Sequence, residues 1–303
     1  MSNKHKKNSK KRRITSFQKR QNKYGYLFML PWITGFGLFT AFPFAATIFL
    51  SFTNVRKTVL GFDVSWNGLG NYIMTFFQNV EFTPALLAYL SMIIPYTFVI
   101  VILSFILAYL LNRITFLRGA LRTIYFLPVI IMSGPVMYQL LDSDPTGGEV
   151  NPAIRFFDIF IVQIIYAYSP QLAITLVNIF VQLSIILWFT GIPIILYING
   201  LQKINSSLYE AAQIDSANAW QILWKITIPI IKPIVLVVTI FTIANVGTFS
   251  LNPVYDLIRT ATENTNGGLG IASTFAWIYS LVVLLLIGMV YLLFRNREKE
   301  RRH

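Results

Sequence analysis

The stretch Tyr209-Glu210-Ala211-Ala212-Gln213-Ile214-Asp215-Ser216-Ala217 is the only long polar-sided segment between strongly apolar segments in the second half of the chain. Ser207 and Glu210 stand three residues apart, which predicts a capping box at the start of a short helix. Helical spacing places a small apolar face on one side of that helix. Its members are Leu208, Ala211 and Ala212.

The residues after this helix predict a turn, a second short helix and then a long apolar one. Asp215-Ser216 interrupts the first helix, and Asn218 and Gln221 repeat the capping pattern. Pro229 and Pro233 mark the start of the long helix, because proline is tolerated in a first turn. The whole stretch therefore predicts a helix–turn–helix elbow just outside a membrane, with a narrow small-residue face available to another molecule.

The elbow and its flanks resemble the EAA loop of binding-protein-dependent ABC importer permeases. The similarity is to the carbohydrate-uptake branch that includes the maltose and glycerol-phosphate permeases. The matching residues, in order, are Tyr197, Gly200, Leu201, Gln202, Ile204, Leu208, Tyr209, Glu210, Ala211, Ala212, Asp215, Ala217, Ile226, Pro229 and Pro233. Weaker similarity covers Pro31, the Gly-Leu-x-Asn-Tyr run at Gly68–Tyr72, and Phe126-Leu127-Pro128.

Two positions depart from the family pattern. The family usually has Gly where Ser216 stands and Phe where Leu223 stands. A serine in the turn implies either that the backbone there is not left-handed or that a mild strain is accepted.

The composition is that of a polytopic membrane protein. Hydrophobic residues make up 55% of the chain and charged residues 12%, against roughly 25% charged in soluble domains. There is no cysteine, and the two histidines, His5 and His303, lie in the terminal tails. Disulfides, thiolate chemistry and a histidine-based centre in the body of the chain are therefore excluded.

Six apolar segments have the roughly 20 residues that crossing about 30 Å of hydrocarbon requires. None has Asp, Glu, Lys or Arg between its outermost turns, and their approximate bounds are 26–54, 85–112, 121–141, 174–199, 231–250 and 271–294. A seventh candidate, 156–168, is short and contains Asp158. If it were a span, the elbow would lie on the other side of the membrane from the basic N-terminus. We predict an interfacial helix there, with Phe and Tyr side chains in the headgroup zone.

The distribution of charge sets the predicted topology. Residues 1–24 hold ten lysines and arginines and no acidic residue, which favours a disordered tail on the anionic cytoplasmic leaflet. With six spans and both termini inside, 21 of the 25 lysines and arginines lie on the inner side. The positive-inside rule then places the elbow in the cytoplasm. The predicted organisation is a basic cytoplasmic tail (1–24), a six-span permease domain (25–294) with a coupling loop at about 200–230, and a cytoplasmic tail (295–303).

The chemistry available to the spans is neutral. The absence of intramembrane charge counts against a proton-coupled symporter and a channel with acidic rings. No Walker motif occurs, so the chain itself hydrolyses no nucleotide, and no nucleophile–base pair suggests an enzyme.

Amides, hydroxyls and rings in the spans suit an uncharged, polyhydroxylated solute, because they hydrogen-bond hydroxyls and stack on sugar faces. Four of these residues recur at 3, 4, 3 spacing in and after the fifth span and so form one stripe. The alternative for each residue is hydrogen bonding between helices. The candidates along the substrate path are Asn178, Gln182, Trp188, Thr242, Asn245, Phe249 and Asn252.

The resemblance implies an all-α, type I ABC importer permease with six transmembrane helices and a cytoplasmic EAA-type coupling elbow. Such a chain moves a carbohydrate, here expected to be an oligosaccharide, across the cytoplasmic membrane. The implied partners are a second permease subunit, an ATPase subunit dimer that binds ATP and Mg²⁺, and an extracytoplasmic solute-binding protein. Neither a cofactor in this chain nor a nucleic acid is expected. The alternative is a secondary transporter or channel for a neutral polar solute.

The residues that the resemblance assigns to ATPase coupling are Leu208, Glu210, Ala211, Ala212, Asp215 and Ser216. For Glu210 two compatible roles are open. One is the capping box with Ser207, and the other, implied by the family, is contact with a basic residue of the ATPase.

Overall fold

The computed structural model describes residues 16–58, 61–113, 160–249, 252–265 and 267–299. These residues are mostly helical. The helices are α1 (Ser16–Phe36), α2 (Phe42–Ser51), α3 (Gly70–Ile73), α4 (Phe82–Arg113), α5 (Phe160–Tyr168), α6 (Pro170–Leu201), α7 (Ser206–Ile214), α8 (Ala219–Ile222), α9 (Ile228–Gly247), α10 (Pro253–Glu263) and α11 (Gly268–Lys299). Three π-helical turns are inserted at Gly37–Ala41, Met74–Gln78 and Leu223–Thr227.

Five helical stretches within the described residues are long and apolar enough to cross a membrane. They are Tyr24–Ser51, Phe82–Asn112, Pro170–Leu201, Ala219–Gly247 and Gly268–Arg295. They correspond to five of the six predicted spans. The third predicted span, 121–141, lies outside the described residues, so the count of six stays a prediction.

The chain divides into two compact units, Met1–Thr75 with Ala261–Trp277, and Phe76–Thr260 with Ile278–His303. The first unit contains a feature that the all-α prediction missed, a β-hairpin. Strand β1 (Thr53–Thr58) pairs antiparallel with β2 (Gly61–Trp66). It begins at the last two residues of the first predicted span (26–54) and continues beyond it, where a short mixed-polarity hairpin gives no membrane-length signal.

The Gly-Leu-x-Asn-Tyr run closes the junction between α2 and β1 in the same unit. Asn71 is buried, and its Nδ2 donates to the carbonyls of Ser51 at 3.0 Å and Thr53 at 2.9 Å. The Tyr72 hydroxyl lies 2.9 Å from Ser51 Oγ. These bonds satisfy backbone groups where the first span ends, which gives this run a structural role.

In the second unit, α4, α6 and α9 pack together around one apolar cluster. Its buried members are Ala108, Ile194, Tyr197, Ile198, Leu201, Ile204, Ile231 and Val238. Pro229 lies in the first turn of α9, as predicted, whereas Pro233 is inside the helix. This cluster joins the ends of α4 and α6 and the beginning of α9 to the start of the elbow.

The short helix α5 lies against the beginning of α6. Its nine residues rise about 13.5 Å, less than half of the hydrocarbon thickness. Val162 packs with Ala173 and Val177 of α6 across the break at Ser169. Residues 156–159 of the predicted interfacial helix lie outside the described residues, so its non-spanning, interfacial character stays a prediction.

Candidate functional site

The elbow helix α7 begins two residues earlier than the predicted capping box would place it. Asn205 is the N-cap: its backbone is extended (φ −65°, ψ 129°), and its side-chain oxygen accepts the Ser207 N–H at 3.1 Å. The predicted Ser207–Glu210 capping box is therefore wrong. Asparagine is among the strongest N-caps, so it takes this position and leaves Ser207 inside the helix. Glu210 becomes the fifth helical residue, in the second turn, with its side chain exposed.

The two sides of α7 have different surroundings. Tyr209 packs against the apolar cluster of α4, α6 and α9, and its hydroxyl lies 3.3 Å from Thr227 Oγ1 in the π-turn before α9. Ala212, on the same side, is only 8% exposed. On the opposite side Glu210 and Ala211 are exposed, and Ile214 is 84% exposed. The elbow therefore has one side fixed to the spans and one side open.

The predicted apolar face of Leu208, Ala211 and Ala212 is thus not a single exposed face. Leu208 and Ala211 are exposed, but Ala212 faces the chain's own interior. Helical spacing groups residues by side, but it cannot tell which edge of the group faces the protein core. Ile214, which the prediction did not include, takes the place of Ala212 on the open side.

The turn after α7 is left-handed at Ser216. Its φ is 57°, the single positive value among the described residues other than glycine. The Ala217 N–H donates to the Ala212 carbonyl at 2.9 Å, and the Ser216 N–H donates to the Gln213 carbonyl at 3.0 Å. This pair of bonds is a Schellman motif, which normally has glycine at the left-handed position. The sequence left open whether the backbone at Ser216 avoids the left-handed conformation or accepts a mild strain, and the structure shows the strained, left-handed backbone.

The second short helix starts as predicted. The Asn218 side chain accepts the Gln221 N–H at 2.8 Å, and the Gln221 side chain accepts the Asn218 N–H at 3.0 Å. This capping box is confirmed. Helix α8 then continues through the π-turn, which contains the half-buried Leu223, into α9, so the elbow and the fifth predicted span form one connected element.

The residues that fix the elbow to the spans were missed from the sequence. Tyr209 was assigned only to the family match, and Thr227 was not singled out. Thr227 is completely buried, and its hydroxyl also donates to the Ile222 carbonyl at 3.4 Å. A hydroxyl two residues before Pro229, in an otherwise apolar helix start, is the signal that could have indicated this contact.

The polar candidates of the fourth span differ in exposure. Asn178 and Gln182 are exposed on α6, four residues apart and so on one side of the helix. Trp188 is half-buried, and its indole N–H has no hydrogen-bond partner in the described part of the chain. These three residues keep hydrogen-bonding groups that the described part of the chain does not visibly use.

The predicted stripe on the fifth span is interrupted because α9 ends at Gly247. Thr242 is buried, and its hydroxyl donates to the Val238 carbonyl of its own helix at 2.8 Å. Asn245 is half-buried. Phe249 lies beyond the helix end and meets Phe189 of α6 edge-on, with ring centroids 5.1 Å apart.

Asn252 has a different environment from the rest of the stripe. It is fully buried, its Nδ2 donates to the Gly247 carbonyl at 3.1 Å and to the Tyr279 hydroxyl at 2.8 Å, and its Oδ1 accepts the Val254 N–H at 3.0 Å. Asn252 therefore caps α10, and its amide is occupied by protein groups.

The chain belongs to a known family of transport components. Residues 115–302 match the family described as "Binding-protein-dependent transport system inner membrane component". The chain is therefore a multi-pass permease component of a binding-protein-dependent transport system. This membership agrees with the prediction that the chain is not an enzyme, and it favours the importer permease over a secondary transporter or channel.

Individual relatives match along most of the chain. The lactose transport system permease protein LacF of Rhizobium radiobacter is 29% identical over 88% of this chain and 86% of its own length. The arabinooligosaccharides transport system permease protein AraP of Halalkalibacterium halodurans is 29% identical over 80% of this chain and 73% of its own. A chain of a bacterial ABC transporter involved in the import of alginate has the same fold. It matches with a TM-score of 0.60 and 20% identity over 91% of this chain and 96% of that one.

Proposed function

We propose that this chain is a permease subunit of an ABC importer that carries a carbohydrate of the oligosaccharide class across the cytoplasmic membrane. The observation that supports this substrate class best is the similarity, over at least 80% of the chain, to permeases whose names specify lactose and arabinooligosaccharides. The neutral spans agree with an uncharged solute. Both termini and the elbow lie on the cytoplasmic side, by the distribution of basic residues.

The energy comes from partner subunits. A second permease subunit completes the membrane part, and an ATPase subunit dimer binds ATP and Mg²⁺. The ATPase docks on the open side of α7, where Glu210, Ala211 and Ile214 are exposed. Glu210 pairs there with a cation of the ATPase, because a carboxylate with no partner in the described chain is free to make a charge-assisted bond.

The fixed side of α7 transmits the movement. Tyr209 contacts the apolar cluster and Thr227, so displacement of α7 acts on the ends of α6 and α9. Leu208, Asp215 and Ser216 belong to the docking region as exposed residues. Ala212 supports it from inside by its close packing.

The solute path uses amides and aromatic rings. Asn178, Gln182 and Asn245 offer hydrogen bonds to hydroxyl groups, and Phe249, which packs edge-on against the buried Phe189, offers ring surface. Trp188 lies on the same helix as Asn178 and Gln182, and its indole N–H is buried without a partner among the described residues. Such a neutral polar and aromatic lining discriminates saccharides from ions, because it has no charged group to offset the free-energy cost of removing water from an ion.

The test is reconstitution of the whole transporter. The chain is expressed with a second permease subunit, an ATPase subunit and a solute-binding protein from the same genome, purified through a tag on this chain, and placed in liposomes. Accumulation of radiolabelled mono- and oligosaccharides is measured with ATP and with a non-hydrolysable ATP analogue. We expect copurification of the other membrane and ATPase subunits and ATP-dependent uptake of an oligosaccharide. Uptake by this chain alone, driven by an ion gradient, would contradict the proposal.

A further inference from the structure

The end of α9 is held by a closed ring of three neutral groups. Gly247 is the last residue of α9, and its carbonyl is one of the C-terminal acceptors that a helix leaves unpaired. The Tyr279 hydroxyl of α11 donates to this carbonyl at 2.5 Å, and Asn252 Nδ2 donates to it at 3.1 Å. The same Nδ2 donates to the Tyr279 hydroxyl at 2.8 Å. Each of the three groups therefore contacts the other two.

The ring joins three separate segments of one compact unit. Gly247 ends the fifth predicted span, Asn252 caps α10 through the Val254 N–H, and Tyr279 lies in the last span. Asn252 is 0% exposed, so its amide is shielded from water. The predicted topology places this end of α9 on the outer side of the membrane, away from the elbow.

A second tyrosine borders the ring without joining it. Tyr89 of α4 meets Tyr279 edge-on, with ring centroids 4.9 Å apart at 70°. Its buried hydroxyl makes no hydrogen bond to Gly247 or Asn252, and its polar neighbour is the Tyr279 hydroxyl. A Cβ atom at Gly247 would lie 3.1 Å from the Tyr279 hydroxyl oxygen and 3.2 Å from that of Tyr89. Glycine at this position therefore gives both tyrosines room to close over the helix end.

We propose that the ring of Gly247, Asn252 and Tyr279 is a releasable latch that keeps the outer end of the fifth span against the last span while no binding protein is docked. This inference rests on the proposed function. All three groups are uncharged, so opening exposes only hydrogen-bonding groups that water can satisfy. The latch lies on the predicted outer side of the membrane, where the binding protein docks, so docking of that protein can open it. Tyr279 is the positioning residue of the latch.

The experiment measures ATP hydrolysis, as release of inorganic phosphate, by the complete transporter in lipid nanodiscs with neither binding protein nor solute. Tyr279→Phe removes the hydroxyl and its hydrogen bonds to Gly247 and Asn252 but keeps the ring that packs on Tyr89. Loss of one to two such bonds shifts the balance between closed and open states by about 5- to 30-fold. We therefore expect basal hydrolysis to rise by up to that factor.

Tyr89→Phe is the matched control, because it removes the same atom from the neighbouring ring, where no hydrogen bond to Gly247 or Asn252 is lost. We expect its basal rate to equal that of the wild type. An unchanged rate in an intact Tyr279→Phe complex would overturn the latch. An equal rise in both variants would also overturn it, because the effect would then follow the loss of any hydroxyl.

Gly247→Ala provides a second approach should Tyr279→Phe fail to assemble. Its added methyl group crowds the two hydroxyls and removes no polar group, so the basal rate should again rise, and an unchanged rate would overturn the latch. The wild-type complex separates this inference from the proposed function. Absence of ATP-driven uptake by the wild type refutes the function, whereas normal uptake with insensitive variants refutes the latch alone.

Discussion

Replacement of Glu210 by glutamine should weaken docking of the ATPase without disturbing the permease itself. The Glu210 side chain is exposed, and it makes no hydrogen bond or ion pair within the described part of the chain. Glu210 is also the fifth residue of α7, and the effect of the helix dipole falls off within the first turn. The substitution therefore removes no contact inside the chain, and we expect unchanged expression and assembly of the two permease subunits.

The magnitude follows from the contact that remains. A hydrogen bond to a charged group contributes about 1.5–3 kcal/mol, and each 1.4 kcal/mol corresponds to about a tenfold change in affinity. Loss of one such bond at the elbow of this chain predicts an ATPase affinity about 10- to 150-fold lower. The assay is equilibrium titration of the labelled ATPase onto permease pairs in nanodiscs, followed by ATP-driven uptake.

Two further variants make this test specific. Glu81→Gln removes an exposed carboxylate next to the start of α4, far along the chain from the elbow, and should leave the affinity unchanged. Glu210→Asp keeps the charge on a shorter side chain and should retain part of the affinity. An affinity of Glu210→Gln equal to that of the wild type would refute the ion pair.

Three other predictions concern the turn at Ser216, the solute path and the topology. Ser216→Gly should relieve the strain of the left-handed backbone, which costs about 1 kcal/mol, and so slow amide hydrogen exchange at the turn by about fivefold. Ser216→Ala should not slow it, and equal exchange rates in the two variants would contradict this prediction. Asn245→Leu should lower solute uptake while the ATPase still copurifies, and loss of assembly would instead make Asn245 a packing residue. Cysteines at Ser143 and Asn266 should react with an impermeant maleimide from outside and one at Ser216 should not; outside labelling at Ser216 would contradict the topology.

The spans could be predicted from the sequence because membrane thickness fixes their length. Five apolar stretches of the expected length are helices in the structure. The hairpin of β1 and β2 was missed because its six-residue strands give no membrane signal and β1, with Arg56 and Lys57, shows no clean alternation. In β2 the apolar Phe62, Val64 and Trp66 do alternate with polar residues, and this strand signal was available in the sequence. The position of the hairpin depends on bonds to residues some 200 positions later, such as that from the Lys57 N–H to the Thr265 carbonyl.

The elbow shows where local patterns stop being informative. Asn205, Ser206 and Ser207 are all good N-caps, and the sequence alone does not say which one leaves the helix. Helical spacing grouped Ala212 with Ala211, but only the packing of α7 shows that Ala212 faces inward. The pairing of Asn252 with Tyr279 joins residues 27 positions apart in sequence, which no local spacing rule covers.

The central claim is that ATP hydrolysis by partner subunits reaches the solute path through the elbow of this chain. Its most direct test uses the double variant Tyr209→Phe, Thr227→Val, which removes the hydroxyl contact between α7 and the start of α9. ATP hydrolysis and oligosaccharide uptake are measured in the same proteoliposomes, for the wild type and for this variant. We predict that the double variant still binds the ATPase and hydrolyses ATP but imports less solute per ATP. An unchanged ratio of solute imported to ATP hydrolysed would contradict transmission through this contact.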